Sequence, residues 1–291
     1  MTQAAALRAG AEGLAAALPP LLAAAEHLAA TIRMGEHGRR RAGAGDEFWQ
    51  YRPAQPGDEA RSIDWRRSGR SDQHFVREKE WQAAQSVTLW LDPSQSMQFS
   101  GDGQHGSKSD RGALLALALA VLLIRGGERV GLAGPDLPPR RGDVQLMRLA
   151  TALVSRTAGP DYGAPELRGM QPHSRAVLFS DFLGDLAPVE AVLTKAADRG
   201  VRGALVQVLD PQEEAFPFEG RTIFESMGGG LRHETLRARD LRDRYLERLA
   251  ERKDRLATLA RLTGWHFTPH HTGESAQSAL LWLYRALERV R

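Results

Sequence analysis

Three short apolar runs in this chain stop on an aspartate. Residues 87–91 run into Asp92, residues 175–179 into Ser180 and Asp181, and residues 204–209 into Asp210. Runs this short and this continuously apolar describe strands buried on both faces. Between and around them lie segments with helical spacing of apolar residues: 111–125, 144–155, 186–199 (closed by Gly200), 239–262 and 275–289. Alternating strands and helices predict an α/β fold with a mainly parallel sheet flanked by helices, Rossmann-like in plan. Open sheets of this kind bind ligands beyond the carboxyl ends of their strands. The three aspartates therefore gather at the edge where function is expected. Carboxylates brought together repel one another unless a cation or protons intervene.

Further strands are expected at 129–133, near 222–225 and at 265–268, while Pro138, Pro139 and the stretch 140–142 predict a turn. Upstream of the alternating pattern the character changes twice. Residues 1–34 are rich in Ala and Leu, with Leu14, Leu18, Leu21, Leu22 and Leu28 at roughly helical spacing. They predict a helical packing arm that Pro19 and Pro20 split in two. Residues 35–83 combine Gly, Pro, Arg and Asp with Phe48, Trp49, Tyr51, Trp65, Phe75 and Trp81. This stretch predicts a small β-rich block, which places the main domain at 84–291.

Composition excludes several classes. Cys is absent, so disulfides and thiolate metal sites are ruled out. The net charge of +3 is too small a surplus to argue for nucleic acid, and the clusters Arg39–Arg41 and Arg66, Arg67, Arg70 have Glu36, Asp46 and Asp72 at hand. The longest apolar run, 113–124, falls short of the roughly 20 residues a membrane span needs. No signal peptide is read at the start, and a cytoplasmic location is expected. The G-x-G-x-x-G at 101–106 does not sit tightly between strand and helix, and no P-loop or G-x-S-x-G elbow is present. His266, His270 and His271 are expected at the surface. The i,i+4 charge pairs along 239–262 describe a solvated helix face.

Asp92-Pro93-Ser94-Gln95-Ser96-Met97 has the form D-x-S-x-S directly after a strand. Asp92, Ser94 and Ser96 can aim three oxygens at one point, and hard cations prefer oxygen ligands. Asp or Ser in such a place also serves to cap a helix or close a turn.

With Ser180-Asp181-Phe182 after a later strand, this loop resembles the metal-ion-dependent adhesion site of von Willebrand factor A domains. The upstream segments Gly43-Ala44-Gly45-Asp46-Glu47-Phe48, Pro56-Gly57-Asp58, Arg61-Ser62-Ile63-Asp64-Trp65-Arg66 and Val76-Arg77-Glu78 narrow it. They resemble the bacterial domain-of-unknown-function-58 family, whose members are often encoded beside MoxR-type AAA+ ATPases. The resemblance implies a Rossmann-like von Willebrand A domain that works as a protein-binding adaptor for such an ATPase and its client proteins, and not as an enzyme. It implies Mg²⁺ (or Mn²⁺ or Ca²⁺) held by Asp92, Ser94 and Ser96 from the first loop and Asp181 from the third. The second loop of the family supplies a Thr. Here Pro160 stands in that place, with Thr157 displaced and Asp161 beside it, a departure that weakens the implied site.

Arg61, Asp64, Trp65, Arg66, Arg77 and Glu78 form either a structural charge network or a partner-docking surface, with structure favoured. Two alternatives to the metal-bridged adaptor stay open: a metal-dependent hydrolase on the same acidic edge, and a metal-free structural adaptor. Oligomeric state and client are not read from the sequence.

Overall fold

The computed structural model describes residues 21–32, 42–43, 47–55, 58–59, 63–69, 73–80, 84–101, 103–135, 137–157 and 159–288. The chain divides into two compact units, one made of residues 36–85 and the other of residues 1–35 with 86–291.

The smaller unit is an antiparallel sheet of β1 (Ala42–Gly43), β2 (Glu47–Pro53) and β3 (Phe75–Glu80), in the order β1-β3-β2. The register of β2 against β3 shifts between Phe48 and Gln50, so Trp49 is the extra residue of a bulge. Between the strands lies α2 (Trp65–Ser68), a single turn the sequence pattern did not announce. Asp64 caps it by accepting the Arg67 N–H at 3.0 Å, and its other oxygen accepts the Tyr51 hydroxyl at 3.0 Å. The Arg67 guanidinium lies 4.3 Å from the Tyr51 ring centroid, a cation–π contact.

The larger unit is built on a six-stranded sheet. Its strands are β4 (Ser86–Leu91), β5 (Arg129–Leu132), β6 (Leu137–Arg140), β7 (Arg175–Ser180), β8 (Arg202–Leu209) and β11 (His266–His271), in the order β11-β8-β7-β4-β5-β6. All neighbours are parallel except β6, which runs antiparallel to β5. The segment read as a turn around Pro138 and Pro139 is thus this edge strand. Proline is tolerated there because an edge strand need not donate on its outer side. Gly131 admits the strand: a Cβ at Gly131 would lie 2.6 Å from the Leu137 carbonyl oxygen.

Side chains alternate across the sheet with the period of two that strands impose. Val87, Leu89, Leu91, Val177, Phe179, Ala204, Val206 and Val208 face one layer of helices. That layer contains the helix at 21–30 (α1), α3 (Lys108–Arg125), α4 (Asp143–Val154) and α8 (Ala276–Glu288). Trp90, Ala176, Leu178 and Leu205 face the other layer, made of α5 (Ala187–Asp198) and α7 (Arg239–Thr263). The break expected at Pro19 and Pro20 lies outside the described residues.

Helix α3 starts three residues earlier than its apolar spacing suggested. Ser107 Oγ accepts the Asp110 N–H at 3.0 Å and the Asp110 carboxylate accepts the Ser107 N–H at 3.1 Å. This reciprocal capping box fixes the first turn before the apolar stripe begins. The strand expected near 222–225 is β9 (Thr222–Glu225), whereas its hairpin partner β10 (Arg232–Thr235) and the short α6 (Pro211–Ala215) carried too little pattern to be foreseen.

Candidate functional site

Strands β4 and β7 are neighbours, yet the chain leaves β4 towards β5 and β6 on one side and later builds β7, β8 and β11 on the other. The order of strands reverses between them, and such a reversal opens a crevice at their carboxyl ends. Asp92 follows β4 and Asp181 follows β7, so the crevice is walled by both. Each is about 1% exposed.

The Asp92 carboxylate is held from two directions. Oδ1 accepts the Ser94 N–H at 2.8 Å, and Oδ2 accepts the Ser180 hydroxyl at 2.6 Å. Burial pushes its carboxyl above the usual range, against the hydrogen bonds from Ser180 and Ser94, and the Asp181 charge adds to the rise. Ser94 and Ser96 are buried, and their hydroxyl oxygens lie 3.1 Å apart, one donating to the other.

Asp181 meets a residue that sequence reasoning passed over. The Lys108 ammonium donates to Asp181 Oδ2 at 2.8 Å and to Glu213 Oε1 at 2.6 Å, and the lysine is fully buried. Burial alone would lower its pKa; Asp181 and Glu213 outweigh that and hold it above the ordinary lysine value. Asp181 Oδ1 accepts the Leu183 N–H at 3.1 Å, and its carbonyl accepts Gln207 Nε2 at 2.9 Å. The sequence signal for Lys108 was slight, because apolar spacing began α3 at Arg111 and only the Ser107–Asp110 capping box brings the lysine into the first turn. A cation in the first turn of a helix opposes the helix dipole, so a lysine placed there and buried calls for carboxylate partners.

The third strand-end aspartate has a structural task. Asp210 caps α6 by accepting the Gln212 N–H at 2.9 Å, and its other oxygen accepts the Gly101 N–H at 3.1 Å. The start of the glycine-rich loop is tied to the sheet edge by that second bond. Glu213 closes the capping box by accepting the Asp210 N–H at 2.8 Å.

The second loop docks on the first by backbone alone. The Pro160 carbonyl accepts the Gln95 N–H, and the Asp161 carbonyl accepts the Ser96 N–H, each at 2.9 Å. Thr157 is exposed, and the Asp161 carboxylate accepts the Ser226 hydroxyl at 2.7 Å. Neither side chain joins Asp92, Ser94 and Ser96 in a hydrogen bond.

These residues can be weighed against a divalent cation. The spacing of Ser94 and Ser96 suits two adjacent ligands, but the rest of the set does not. Both Asp92 oxygens accept hydrogen bonds, no second-loop hydroxyl is supplied, and Asp181 already carries an ammonium. A second cation at Asp181 would face like charge in a site with little water to screen it. Among the described residues, no three His, Asp or Glu side chains form a group able to hold a metal ion. As arranged, the site does not fit one.

A cavity of about 190 Å³ opens beside the pair, with Ser96, Lys108, Tyr162 and Glu213 on one wall. The opposite wall is aromatic. Phe216 stacks on Phe224 with centroids 5.5 Å apart and packs against Tyr245 at 5.0 Å, and Phe218 meets Phe224 edge-on.

The upstream residues are placed as follows. Asp64 is built into the α2 cap, while Trp65 and Arg66 are exposed. Arg77 and Glu78 lie in β3, and their side chains, like all of Arg61, fall outside the described residues. His270, expected at the surface, is buried, with the Arg111 guanidinium at the start of α3 lying 3.1 Å from its Nε2.

The fold and crevice define a Rossmann-like α/β protein whose charged groups converge at the strand-order reversal. The family profile described as protein of unknown function DUF58 matches residues 50–255, and the chain belongs to that family. Uncharacterised proteins of Mycobacterium tuberculosis and Mycobacterium bovis are 26% identical to it over 267 residues, covering 84% of this chain and 83% of theirs. Among solved structures it is similar to an aerotolerance-related membrane protein from Bacteroides fragilis (16% identity, TM-score 0.40) and to BatB from Bacteroides thetaiotaomicron (14%, 0.39). Each comparison covers 70% of this chain and 98% of the other. No helix among the described residues is long and apolar enough to cross a membrane.

Proposed function

We propose that this chain is a von Willebrand factor A-like adaptor that binds other proteins at the carboxyl edge of its sheet, and that it performs no chemistry there. The observation that carries this reading is the aromatic-walled cavity beside the buried Lys108, Asp181 and Glu213 group. Next to it the β9–β10 hairpin exposes Ile223, Met227 and Leu231. Apolar side chains around a pocket, with polar groups at its wall, are what a partner's anchoring residue engages. The partner class follows from the resemblance: a MoxR-type AAA+ ATPase or its client.

The test is direct binding of the purified chain to the MoxR-type ATPase of the same organism, by calorimetry or surface plasmon resonance. The expected result is a saturable complex weakened by Phe224→Ala. Absence of binding to the ATPase in both nucleotide states would reject the partner assignment. Turnover of generic phosphoesters abolished in Asp92→Ala would replace the adaptor reading with a hydrolase.

A further inference from the structure

We infer that the Lys108 ammonium occupies the place of the cation at this strand-end site, so that the edge is assembled around a covalently tethered monovalent charge and needs no divalent metal.

The argument is one of charge and position. Asp92 and Asp181 end neighbouring strands and point into one crevice, and both are nearly inaccessible to water. Buried carboxylates persist as anions only beside a compensating cation or dense hydrogen bonding. Asp92 has the second, from Ser94 and Ser180. Asp181 has the first: Lys108 at 2.8 Å, with Glu213 completing a second bond at 2.6 Å.

Lys108 is carried there by the opening turn of α3, the next α-helix in the chain after the D-x-S-x-S loop. The Ser107–Asp110 capping box fixes that turn. A side chain locked by a capped, buried helix loses little freedom when it reaches the carboxylates, which favours it over a free ion that must be drawn from solution and dehydrated.

The departure in the second loop agrees. A site without a divalent ion needs no second-loop hydroxyl, and Pro160 contributes a carbonyl to loop docking instead. The inference holds whatever the edge binds, so it stands or falls apart from the adaptor reading.

The experiment uses the full chain in three forms: wild type, Lys108→Ala and Lys108→Gln. Mn²⁺ uptake is read by electron paramagnetic resonance, and the melting temperature is read in EDTA and in millimolar Mg²⁺ or Mn²⁺. The expected wild type takes up no Mn²⁺ and melts at the same temperature in all conditions. The neutral variants melt lower in EDTA, gain one bound Mn²⁺ and are raised by metal, as linkage requires of a ligand that binds only the folded state.

Stoichiometric Mn²⁺ uptake by the wild type, lost in Asp92→Ala, would overturn the inference. A folded Lys108→Ala or Lys108→Gln that takes up no metal would overturn it equally, since the ammonium would then occupy no cation position. The wild-type measurement decides even where a variant fails to fold.

Discussion

A Cβ on Gly163 would lie 2.1 Å from Oδ1 of Asp92 and 2.8 Å from its Cγ. The carboxylate cannot swing away cheaply, because Ser94 and Ser180 each hold one of its oxygens. The loop cannot retreat cheaply either, since its docking on Gln95 and Ser96 would break. Gly163→Ala is therefore expected to destabilise the fold by about 1–3 kcal/mol, the range for overpacking a closed site. Gly159→Ala in the same loop is the control: its Cβ would come no nearer than 3.4 Å to any neighbour. Urea unfolding of both variants reads the difference, and equal midpoints would show that the two loops are not packed as described.

The pairing of Lys108 with Asp181 and Glu213 predicts strong non-additivity. Lys108→Met strands two carboxylates in a buried setting and is expected to cost about 3–5 kcal/mol in the absence of divalent metal. Asp181→Asn in the Lys108→Met background removes one stranded charge and should recover part of that loss. The double-mutant cycle, measured by denaturant unfolding in EDTA, is expected to give a coupling of about 1–3 kcal/mol. Additive single changes would mean that the ammonium and the carboxylate do not interact in solution.

Much of the sheet was legible because its strands are continuously apolar and end in polar punctuation. Val87, Leu89, Val177 and Val206 advertise burial by type alone, and placing Asp92 and Asp181 at one edge needed only the rule that ligands sit beyond strand ends. The network that fills the crevice was not legible. Lys108 is separated from Asp181 by 73 positions and from Glu213 by 105, and no local spacing encodes such pairs. Asp210 shows the opposite limit: it ends a strand just as Asp92 does, yet its capping of α6 commits it to structure. The edge strand β6 was hidden because Pro138 and Pro139 signal turns more strongly than they signal edges.

The pH dependence of stability should carry the mark of His270. Its Nε2 lies 3.1 Å from Arg111 Nη1, which can only donate, so the ring is neutral with its proton on Nδ1, facing Glu274 at 3.3 Å. Burial first, and the Arg111 charge second, hold its pKa down to about 4. The unfolded chain takes up this proton near pH 6.5, whereas the folded one resists it. The stability from His270 is thus fully present above pH 6.5 and is lost progressively as pH falls from there to about 4, by up to about 3 kcal/mol. His271, lowered chiefly by burial, acts in the same direction. His270→Gln keeps an acceptor for Arg111 but cannot titrate. Its unfolding free energy should fall less steeply than the wild type's between pH 6.5 and 4.5, and an unchanged slope would assign the pH dependence elsewhere.

The β9–β10 hairpin separates stability from binding. Met227 and Leu231 are 48% and 62% exposed, so charging them costs the fold little; exposed positions without special backbone geometry change stability by about 0.5 kcal/mol or less. Met227 lines the cavity whose aromatic wall is held by Phe216, Phe224 and Tyr245, and the Leu231 carbonyl is bonded to the neighbouring Ser226 N–H. If a partner's apolar residue enters there, Met227→Glu and Leu231→Glu place unpaired carboxylates in its path. Each should weaken the complex with the ATPase by roughly fivefold or more, about 1 kcal/mol, the threshold at which an interface residue matters. Melting temperatures should stay at the wild-type value, while Phe216→Ala, which removes the ring at the centre of the aromatic cluster, should lower both. Full affinity in the two glutamate variants would move the docking face away from the hairpin, and would leave the exposed Trp65 and Arg66 of α2 as the rival contact.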